Sequence, residues 1–414
     1  MSNIWLTVHR STQEIGGNCI EIATHDGHRI LLDVGRPLDA LADAHGLLPS
    51  TLNLTAPCDG VLLSHPHQDH YGLLEEVPAG WPVFCGQATE KLVRLTTGIF
   101  GPEIEREFRH WRAGFRTEVG PFTITPFLTD HSAFDAYMLL IEVGDRRILY
   151  SGDFRTHGRK AALVERLMAN PPPDIDVLLM EGTNLGSNKS SAAESRLETD
   201  FVELFKSSVG RVFVAWSAQN IDRTVTLYRA CLKAGRTLAV DLYTAEVLRL
   251  LEPHAKPPQP GWPSLKVVVT GALARMYRRK GREAFVQEMV PHGISARNLA
   301  KNPAQWATMF RPSLITDFER SGVVPTGDDV WSWSMWGGYL QNEGGRRTRD
   351  WFDAGGAASR HIHTSGHASP AQLRAFAAAM RPGCLVPIHG VAWGTDREGF
   401  SPIRDLKDGE PMQL

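Results

Sequence analysis

The sequence predicts an α/β protein of two or three domains, and three observations lead to this prediction. In the N-terminal part, short apolar segments alternate with turn signals, which is typical of strands. From about residue 184 onwards, apolar strands alternate with helices, as in a parallel α/β unit. The chain has 414 residues and is 42% hydrophobic, so each domain of about 150 residues can bury its own core.

Two hairpins and several buried strands are predicted in the N-terminal part. Segments 18–24 and 28–34 flank an Asp26-Gly27 turn, and a second hairpin is centred on Gly144-Asp145. Apolar runs that predict buried strands lie at 61–64, 122–128 and 176–180. Together these elements indicate a layered α/β domain.

The second part of the chain alternates strands and helices. The predicted strands are 211–216, 237–242 and 266–270, and the predicted helices are 190–208 and 220–234. The Pro-rich segment 256–263 predicts a loop, and the segment 353–359, DAGGAAS, predicts a hinge or linker. Beyond it, the segment 359–365, a helix from about Pro370 to Met380 and the segment 384–390 predict a return to the core domain.

Composition excludes several classes of protein. The 44 Lys and Arg nearly balance the 46 Asp and Glu, and the formal charge of −2 excludes a polybasic nucleic-acid coat but not a local basic groove. The five Cys are far apart and form no CxxC pair, so we expect reduced thiols. No basic leader precedes an apolar stretch, and no window has the roughly 18 apolar residues of a membrane span. We therefore expect a cytoplasmic protein that does not enter a membrane.

The strongest local signal is SHPHQDH at 64–70, which follows an apolar strand and precedes a segment with helical character. It contains four potential metal ligands, His65, His67, Asp69 and His70. His65 and His67 are two apart in an extended segment and so project to the same side, whereas Asp69 and His70 can address a second point nearby. An isolated HxH is most often an ordinary surface or core feature, but the added Asp69-His70 favours a site for two adjacent metal ions.

This HxHxDH pattern resembles the signature of the metallo-β-lactamase superfamily, and three further residues match the family's order at strand ends. Asp33 follows an early strand in LLDVG, His131 follows a later one in TPFLTDHSAFDAY, and Asp153 follows another in ILYSGDFR. Asp33 is also compatible with an ordinary turn residue. Phe134 departs from the family pattern, in which Pro is commoner at this position.

Three later motifs resemble the β-CASP branch of this superfamily, the nucleases that include ribonuclease J, the cleavage-and-polyadenylation endonuclease and Artemis. Glu181 in LLMEGTN, His367 in HTSGHASPAQLRAF and His389 in LVPIHG match the acidic residue and the two histidines of these motifs. The segments HSAFDA and SGHAS are most similar to the ribonuclease J family. His361 and His363 lie close by but are interpreted as strand residues, because SGH rather than HIH matches the branch.

The resemblance covers essentially the whole chain and implies its fold, a four-layer αββα metallo-β-lactamase core with an inserted α/β β-CASP cap domain. The implied domains are the first part of the core at 1–183, the cap at 184–354 and the completion of the core at 355–414. The chain ends soon after the third motif, where many members of the ribonuclease J family continue with a domain used in assembly. We therefore expect a monomer or a homodimer.

The resemblance also implies a dinuclear metal site. One ion would be held by His65, His67 and His131, and the other by Asp69, His70 and His389, with Asp153 bridging both. Imidazole and carboxylate ligands suit two Zn²⁺ ions, with Mn²⁺ as the alternative. Two metals about 4 Å apart can activate a hydroxide for in-line attack on a phosphodiester.

Further side chains complete the implied chemistry. His367 would protonate the departing 3′ oxygen, and Glu181 would orient its ring. Asp69 and Asp153 count as catalytic residues as well as ligands, and Asp33 is expected to hydrogen-bond to a ligand from behind.

Two turns that lead into predicted helices are candidate phosphate-binding sites, because helix N-termini present free N–H groups. They contain Ser217 with Asn220, and Ser365 with Ser369. The resemblance favours both, although such patterns alone are more often ordinary helix caps.

Two other clusters have a structural and a functional interpretation. The basic stretch 275–282 has Arg275, Arg278, Arg279 and Arg282 at helical spacing, which suits an RNA backbone, but a solvated helix face is commoner. For the Trp residues at 331, 333 and 336, core packing is favoured over the stacking of bases.

The sequence therefore predicts a metal-dependent ribonuclease that acts on single-stranded RNA by endonucleolytic or 5′→3′ exonucleolytic cleavage, or both. His389 favours RNA, since the DNA-acting, Artemis-like members usually carry an apolar residue there. The alternatives are a DNA nuclease, with DNA as the substrate, and a small-molecule metallohydrolase, which the inserted cap disfavours. A non-catalytic nucleic-acid-binding protein is a further alternative, disfavoured because every expected ligand is present.

Overall fold

The structure is a computed structural model that describes residues 4–41, 43–187, 191–400 and 402–414. Contacts within the chain divide it into two compact units. Unit 1 comprises residues 1–97, 102–191 and 366–414, and unit 2 comprises residues 98–101 and 192–365. The main boundaries between the two units therefore lie after residues 191 and 365. The domain boundaries predicted from the sequence lie after residues 183 and 354.

Unit 1 contains two sheets. The strands of the first sheet are β1 (Ile4–Arg10), β2 (Cys19–Thr24), β3 (Arg29–Val34), β4 (Gly60–Leu62), β5 (Val83–Cys85), β6 (Phe108–His110) and β20 (Pro411–Gln413). Those of the second are β7 (Thr117–Val119), β8 (Phe122–Leu128), β9 (Tyr137–Val143), β10 (Arg146–Tyr150), β11 (Val177–Met180) and β19 (Cys384–Pro387). The strand orders are β20-β1-β2-β3-β4-β5-β6 and β19-β11-β10-β9-β8-β7.

The two sheets pack face to face and are covered by helices on their outer sides. The helices are α1 (Gln68–Tyr71), α2 (Gln87–Phe100), α3 (Ala161–Ala169) and α12 (Pro370–Met380). Buried side chains such as Leu6 and Ile30 of the first sheet and Leu139 of the second form the core between the sheets. Tyr71 and Val93 join a core outside the first sheet, and Val164 and Phe376 join one outside the second. This helix–sheet–sheet–helix layering confirms the predicted αββα architecture.

Strand direction brings the strand ends of unit 1 together. Strands β10, β11 and β19 are mutually parallel, and β8 points the same way because it is antiparallel to β9, which is antiparallel to β10. In the first sheet, β3 and β4 are parallel. The carboxyl ends of these strands therefore carry the segments that follow them to one edge of the unit.

Unit 2 is built on a sheet whose described strands all pair in parallel. They are β12 (Val212–Ala215), β13 (Thr237–Asp241), β14 (Leu265–Val268), β15 (Gly293–Ile294), β16 (Trp306–Met309), β17 (Val330–Trp333) and β18 (Ala358–Arg360). Their order is β15-β14-β13-β16-β12-β17-β18. The helices are α4 (Glu194–Ser207), α5 (Ile221–Ala234), α6 (Leu242–Leu251), α7 (Gly271–Arg279), α8 (Glu283–Met289), α9 (Arg297–Ala300), α10 (Ile315–Arg320) and α11 (Glu343–Ala354). Alternating strands and helices thus give the predicted α/β architecture.

Most predicted elements are confirmed, including both hairpins and the helix that begins at Pro370. The helix predicted from Ser190 is α4, which begins at Glu194, and Ser190 itself lies outside the described residues. The five cysteines are free thiols. Within the described ranges, no helix has the length and apolar character needed to cross a membrane.

Three local predictions are wrong. Residues 353–359 are no linker between domains, because they contain the end of α11 and the start of β18, which pairs with β17 inside unit 2. For the same reason, 359–365 is not a core strand: β18 ends at Arg360, and His361 and His363 follow it outside any strand. The helix after the HxHxDH motif is only the short α1, followed by a 3₁₀ turn at Leu74–Glu76. Pairing between distant segments decided the first two outcomes.

Candidate metal centre

The edge of unit 1 at which the parallel strands end carries most of the predicted site residues. In the second sheet, His131 follows β8, Asp153 follows β10, Glu181 follows β11 and His389 follows β19. In the first sheet, Asp33 lies at the end of β3, and the HxHxDH motif follows β4. The structure brings these residues together into overlapping clusters of potential metal ligands.

The first cluster consists of three buried or nearly buried histidines, His65, His67 and His131. His67 Nδ1 lies 3.1 Å from His65 Nε2 and 3.2 Å from His131 Nε2, so the three ring nitrogens converge on one point. Burial is the main cause that lowers the pKa of all three rings, to about 4 for His67. At neutral pH these imidazoles are therefore uncharged, and each has a nitrogen lone pair available for a cation.

The second cluster consists of Asp69, His70, Asp153 and His389. His70 Nε2 lies 3.1 Å from Asp153 Oδ2, and His389 Nε2 lies 3.4 Å from Asp69 Oδ2. Although burial opposes the charged ring, Asp153, Asp33 and Asp69 raise the pKa of His70. Despite burial, the surrounding imidazoles lower the pKa of Asp153 and of Asp69.

Asp153 is part of the second cluster and also lies near histidines of the first. Its Oδ2 lies 3.1 Å from His70 Nε2, 3.6 Å from His65 Nε2 and 4.0 Å from His131 Nε2. Its Oδ1 is buried and has no hydrogen-bond partner among the residues that the structure describes. Because an unpaired buried carboxylate oxygen is costly, this position calls for a cation.

Asp33 contacts the His70 ring on the side away from the second cluster. A β-bulge at Asp33 directs its carboxylate toward that ring. Cys19 opposes Val34 and Ile20 opposes Leu32, so Asp33 is left without a partner strand residue, at a φ of 58°. Asp33 Oδ2 accepts hydrogen bonds from Tyr150 Oη at 2.6 Å and Ser64 Oγ at 2.7 Å, and it lies 2.7 Å from His70 Nδ1. This contact leaves Nε2 of His70 directed at the other members of the second cluster.

We expect Asp33→Asn to weaken metal binding by about ten- to a hundredfold, because the amide no longer offers His70 a carboxylate. Asn tolerates the left-handed backbone conformation of this position, so the substitution changes the acceptor with little added backbone strain. Metal affinity measured by competition with a chromogenic chelator checks this. Asp26→Asn, in the exposed turn between β2 and β3, is the control and should leave metal affinity unchanged. Equal affinity of both variants would contradict a supporting role for Asp33.

His389 and His131 are also fixed by contacts to their other ring nitrogen. Thr183 Oγ1 lies 2.8 Å from His389 Nδ1, and the backbone oxygen of Gly366 lies 2.6 Å from His131 Nδ1. A side chain at Gly366 would lie 2.5 Å from Ser132 Oγ, so glycine is required for this close approach. His389 itself has a φ of 48°, a strained conformation of the kind that clusters at functional sites.

His367 lies beside the clusters, and its ring contacts Glu181. His367 Nδ1 is 3.1 Å from Glu181 Oε2 and 3.8 Å from Asp153 Oδ2, and 21% of its side chain is exposed. Although burial opposes the charged ring, Glu181 and Asp153 raise the pKa of His367 to about 9. Asn184 Nδ2 donates to the backbone oxygens of His367 and Ala368 at 3.1 and 3.0 Å, which holds the loop before α12 in place.

Two of the four predicted phosphate-binding residues cap helices in the structure. Ser369 is the N-cap of α12 in a capping box with Gln372, and Asn220 caps α5 by accepting from Arg223 N. Ser217 precedes this cap, and Ser365 is the last residue of unit 2. Ser369 and Asn220 therefore act as helix caps, and binding of phosphate by these turns stays a prediction.

The structure changes the prediction for the basic stretch and agrees with core packing for two of the three tryptophans. Helix α7 ends at Arg279, so Arg282 is not on the predicted helical face, and it pairs with Glu246 at 2.7 Å. Trp331 and Trp333 are buried in unit 2, as expected for core packing, but Trp336 is exposed.

Sequence reasoning missed several supporting residues. Ser64 and Thr183 stand next to predicted residues within SHPHQDH and LLMEGTN, so adjacency to the motifs was a usable signal. Tyr150 and Asn18, whose Nδ2 donates to Tyr150 Oη at 3.0 Å, lack such a signal. Nothing in a strand sequence distinguishes a tyrosine that packs in the core from one that also hydrogen-bonds to Asp33.

Comparison with known proteins places this geometry in a family. A family profile described as a beta-lactamase superfamily domain matches residues 28–231. The chain contains a beta-lactamase superfamily domain. This fold implies a divalent-metal site, and the clusters of histidine and aspartate fit one.

Several curated proteins are similar in sequence to this chain over more than half of its length. Ribonuclease J of Mycobacterium tuberculosis is 27% identical over 55% of this chain and 42% of its own length. Ribonuclease J of Sinorhizobium meliloti is 22% identical over 86% of this chain and 63% of its own length. An RNase J-like protein of Methanocaldococcus jannaschii is 25% identical over 58% of each chain. This chain thus spans less than two thirds of these relatives.

A solved structure shows the same fold over the whole chain. A protein of unknown function from Enterococcus faecalis V583 superposes with a TM-score of 0.81, at 20% sequence identity and with 100% of both chains covered. The two chains therefore have the same fold at low sequence identity.

Proposed function

We propose that this protein is a metal-dependent ribonuclease that hydrolyses phosphodiester bonds of RNA. The observation that carries the proposal is the pair of ligand clusters, with Asp153 within 4.0 Å of histidines from both and His367 beside them. The similarity to proteins named ribonuclease J supports RNA as the substrate. Unit 2 would be the β-CASP cap, and the site would lie wholly in unit 1.

The residues of the first cluster fit zinc. Zn–N distances of 2.0–2.1 Å at tetrahedral angles place ligand nitrogens about 3.3 Å apart. The observed separations of 3.1 and 3.2 Å between the ring nitrogens are close to this value. His65, His67 and His131 would hold one ion, and Asp69, His70 and His389 would hold the other, with Asp153 shared. Mn²⁺ suits the more oxygen-rich second set as the alternative.

When bound, two such ions supply a nucleophile at neutral pH and stabilise the negative charge of the phosphoryl oxygens. The chain's own residues fix the ligand atoms before the substrate arrives. Asp33, Thr183 and the Gly366 carbonyl each contact the ring nitrogen of a histidine that points away from the clusters. These contacts select the tautomer and the orientation in which the other nitrogen faces the metal site.

His367 would supply the proton for the leaving group. Cleavage of a phosphodiester leaves an alkoxide oxygen, which is a poor leaving group unless it is protonated. His367 is partly exposed, and its Nδ1 contacts Glu181 Oε2, so Nε2 would carry the proton toward the 3′ oxygen. Glu181 accepts from Phe154 N at 3.1 Å and is fully buried, which makes it a rigid support for this ring.

Cleavage assays with matched substrates test the proposal. The purified chain, loaded with Zn²⁺ or Mn²⁺, would be incubated with labelled single-stranded RNA and DNA of the same sequence. We expect cleavage of RNA, its loss on treatment with EDTA, and its recovery when the metal is restored in excess. Equal cleavage of both polymers, or cleavage of DNA alone, would contradict the assignment of RNA. Activity that persists in the chelator after dialysis would contradict a metal-dependent mechanism.

The products of the same assay distinguish the mode of cleavage. RNA with a 5′ monophosphate, a 5′ triphosphate or a 5′ hydroxyl would be labelled uniformly along its length. Mononucleotides released only from the monophosphate substrate indicate a 5′→3′ exonuclease. Internal fragments from all three substrates indicate an endonuclease.

A further inference from the structure

Trp336 is an exposed aromatic side chain in unit 2. Its side chain is 62% exposed, whereas Trp331 and Trp333, on the strand just before it, are each 5% exposed. Exposure of a whole indole is costly in water, because its apolar area remains hydrated. Such a residue is therefore a candidate for contact with a partner.

The indole of Trp336 is held in place although it is exposed. A methyl group added at Gly338 would lie 2.2 Å from Trp336 Cη2, so the ring packs directly against the glycine. The ring of Tyr339, itself 46% exposed, meets the indole edge-on, with ring centroids 5.3 Å apart and an interplanar angle of 88°. Trp333 Nε1 donates to the backbone oxygen of Trp336 at 3.1 Å. These contacts fix the ring before any ligand binds, which reduces the entropy that binding must overcome.

A cationic side chain and an imidazole lie on strand β18 and the segment that follows it, and β18 pairs with the strand that precedes Trp336. His361 Nε2 is 3.3 Å from the backbone oxygen of Met335, the residue before Trp336. Arg360 precedes His361 and is exposed at the end of edge strand β18, with no carboxylate paired to it in the part of the chain that the structure describes. An exposed planar ring and, on the neighbouring strand, an exposed guanidinium are complementary to a base and to a backbone phosphate of one single strand.

We propose that Trp336 and Tyr339 form a base-stacking platform for single-stranded RNA, with Arg360 contacting the backbone phosphate. The proposal rests on the proposed function, from which the RNA substrate is taken. Stacking on an aromatic ring is tolerant of sequence, because every base has a π face. The platform therefore contributes affinity for single strands without selecting a particular base.

Binding of RNA by ring variants tests the platform. The full chain would be kept in EDTA to prevent cleavage and titrated into a labelled single-stranded RNA 12-mer and an abasic 12-mer with the same phosphates. We expect Trp336→Ala to weaken binding of the base-bearing RNA about tenfold and to leave binding of the abasic polymer unchanged. Trp336→Phe retains a ring and should recover most of the affinity. Trp262→Ala is the matched control, since Trp262 is 41% exposed in the same unit without a glycine packed against its ring.

A second variant leaves the indole present but displaces it. Gly338→Ala places a methyl group where the ring now packs, so we expect it to weaken binding of the base-bearing RNA as well. Thermal unfolding midpoints equal to that of the unchanged protein would show that both variants fold. If the unchanged protein binds RNA and Trp336→Ala binds it with the same affinity, the platform is overturned and the proposed function is not. Failure of the unchanged protein to bind or cleave RNA overturns the platform together with the proposed function.

Discussion

Asp153→Asn should abolish RNA cleavage and remove at least one metal ion from the protein. Asp153 Oδ2 lies within 4.0 Å of ring nitrogens from both ligand clusters, and its Oδ1 is buried with no hydrogen-bond partner among the described residues. An amide of the same size keeps the packing but removes the negative charge that both ions would share. Because metal catalysis contributes several kcal/mol to stabilisation of the transition state, we expect a loss of at least about a thousandfold in kcat.

Elemental analysis and cleavage rates measured on the same preparation check this expectation. Asp145→Asn is the matched control, because Asp145 is an exposed carboxylate in the turn of the same β9–β10 hairpin. It should retain the metal content and the rate of the unchanged protein. An Asp153→Asn protein that keeps two ions per chain and cleaves RNA at the normal rate would refute the shared-ligand arrangement.

His367→Ala should lose most of its turnover and keep its metal. His367 lies beside the clusters, and one fifth of its side chain is exposed, so a substrate oxygen can reach it. General acid catalysis typically contributes about a hundredfold to ten-thousandfold in rate, and we expect a fall in kcat within this range. KM should change little, because the proton is needed only when the bond breaks.

Metal content separates the role of an acid from that of a ligand. His367 also lies in a group with Asp153, Glu181 and His389 that has the geometry of a metal site. If elemental analysis finds that His367→Ala has lost an ion, then His367 is a ligand and the assignment as an acid is wrong. His25→Ala, an exposed histidine at the end of the β2–β3 hairpin, is the control for the loss of an imidazole.

Much of the fold could be predicted from the sequence because its signals are local. The hairpins depend on Asp-Gly and Gly-Asp turns, and β8 and α12 occupy the predicted segments 122–128 and 370–380. Local pattern failed near residue 360, where the segment after α11 pairs with β17 and so stays in unit 2. A strand of three residues with exposed side chains has too little periodicity to indicate which strand it pairs with.

The candidate site also has a part that could be predicted from the sequence and a part that could not. The HxHxDH motif could be recognised from its ligand residue types after an apolar strand, and His131, Asp153 and His389 could be expected from the resemblance to the family. Other supports of these residues could not be recognised, because they come from remote positions. Asn18 and Tyr150 are 132 residues apart, and the Gly366 oxygen lies 235 residues from His131.

The sequence by itself determined the class of fold, the order of the strands along the chain and the chemical nature of the site, because these depend on composition, periodicity and short motifs. Only the tertiary structure decided which strand ends meet, which oxygen of Asp153 lies near histidines of both clusters, and which of three tryptophans is exposed. The physical reason is that parallel pairing and sheet packing act between residues far apart in the chain. Their free energy depends on contacts that no local window contains.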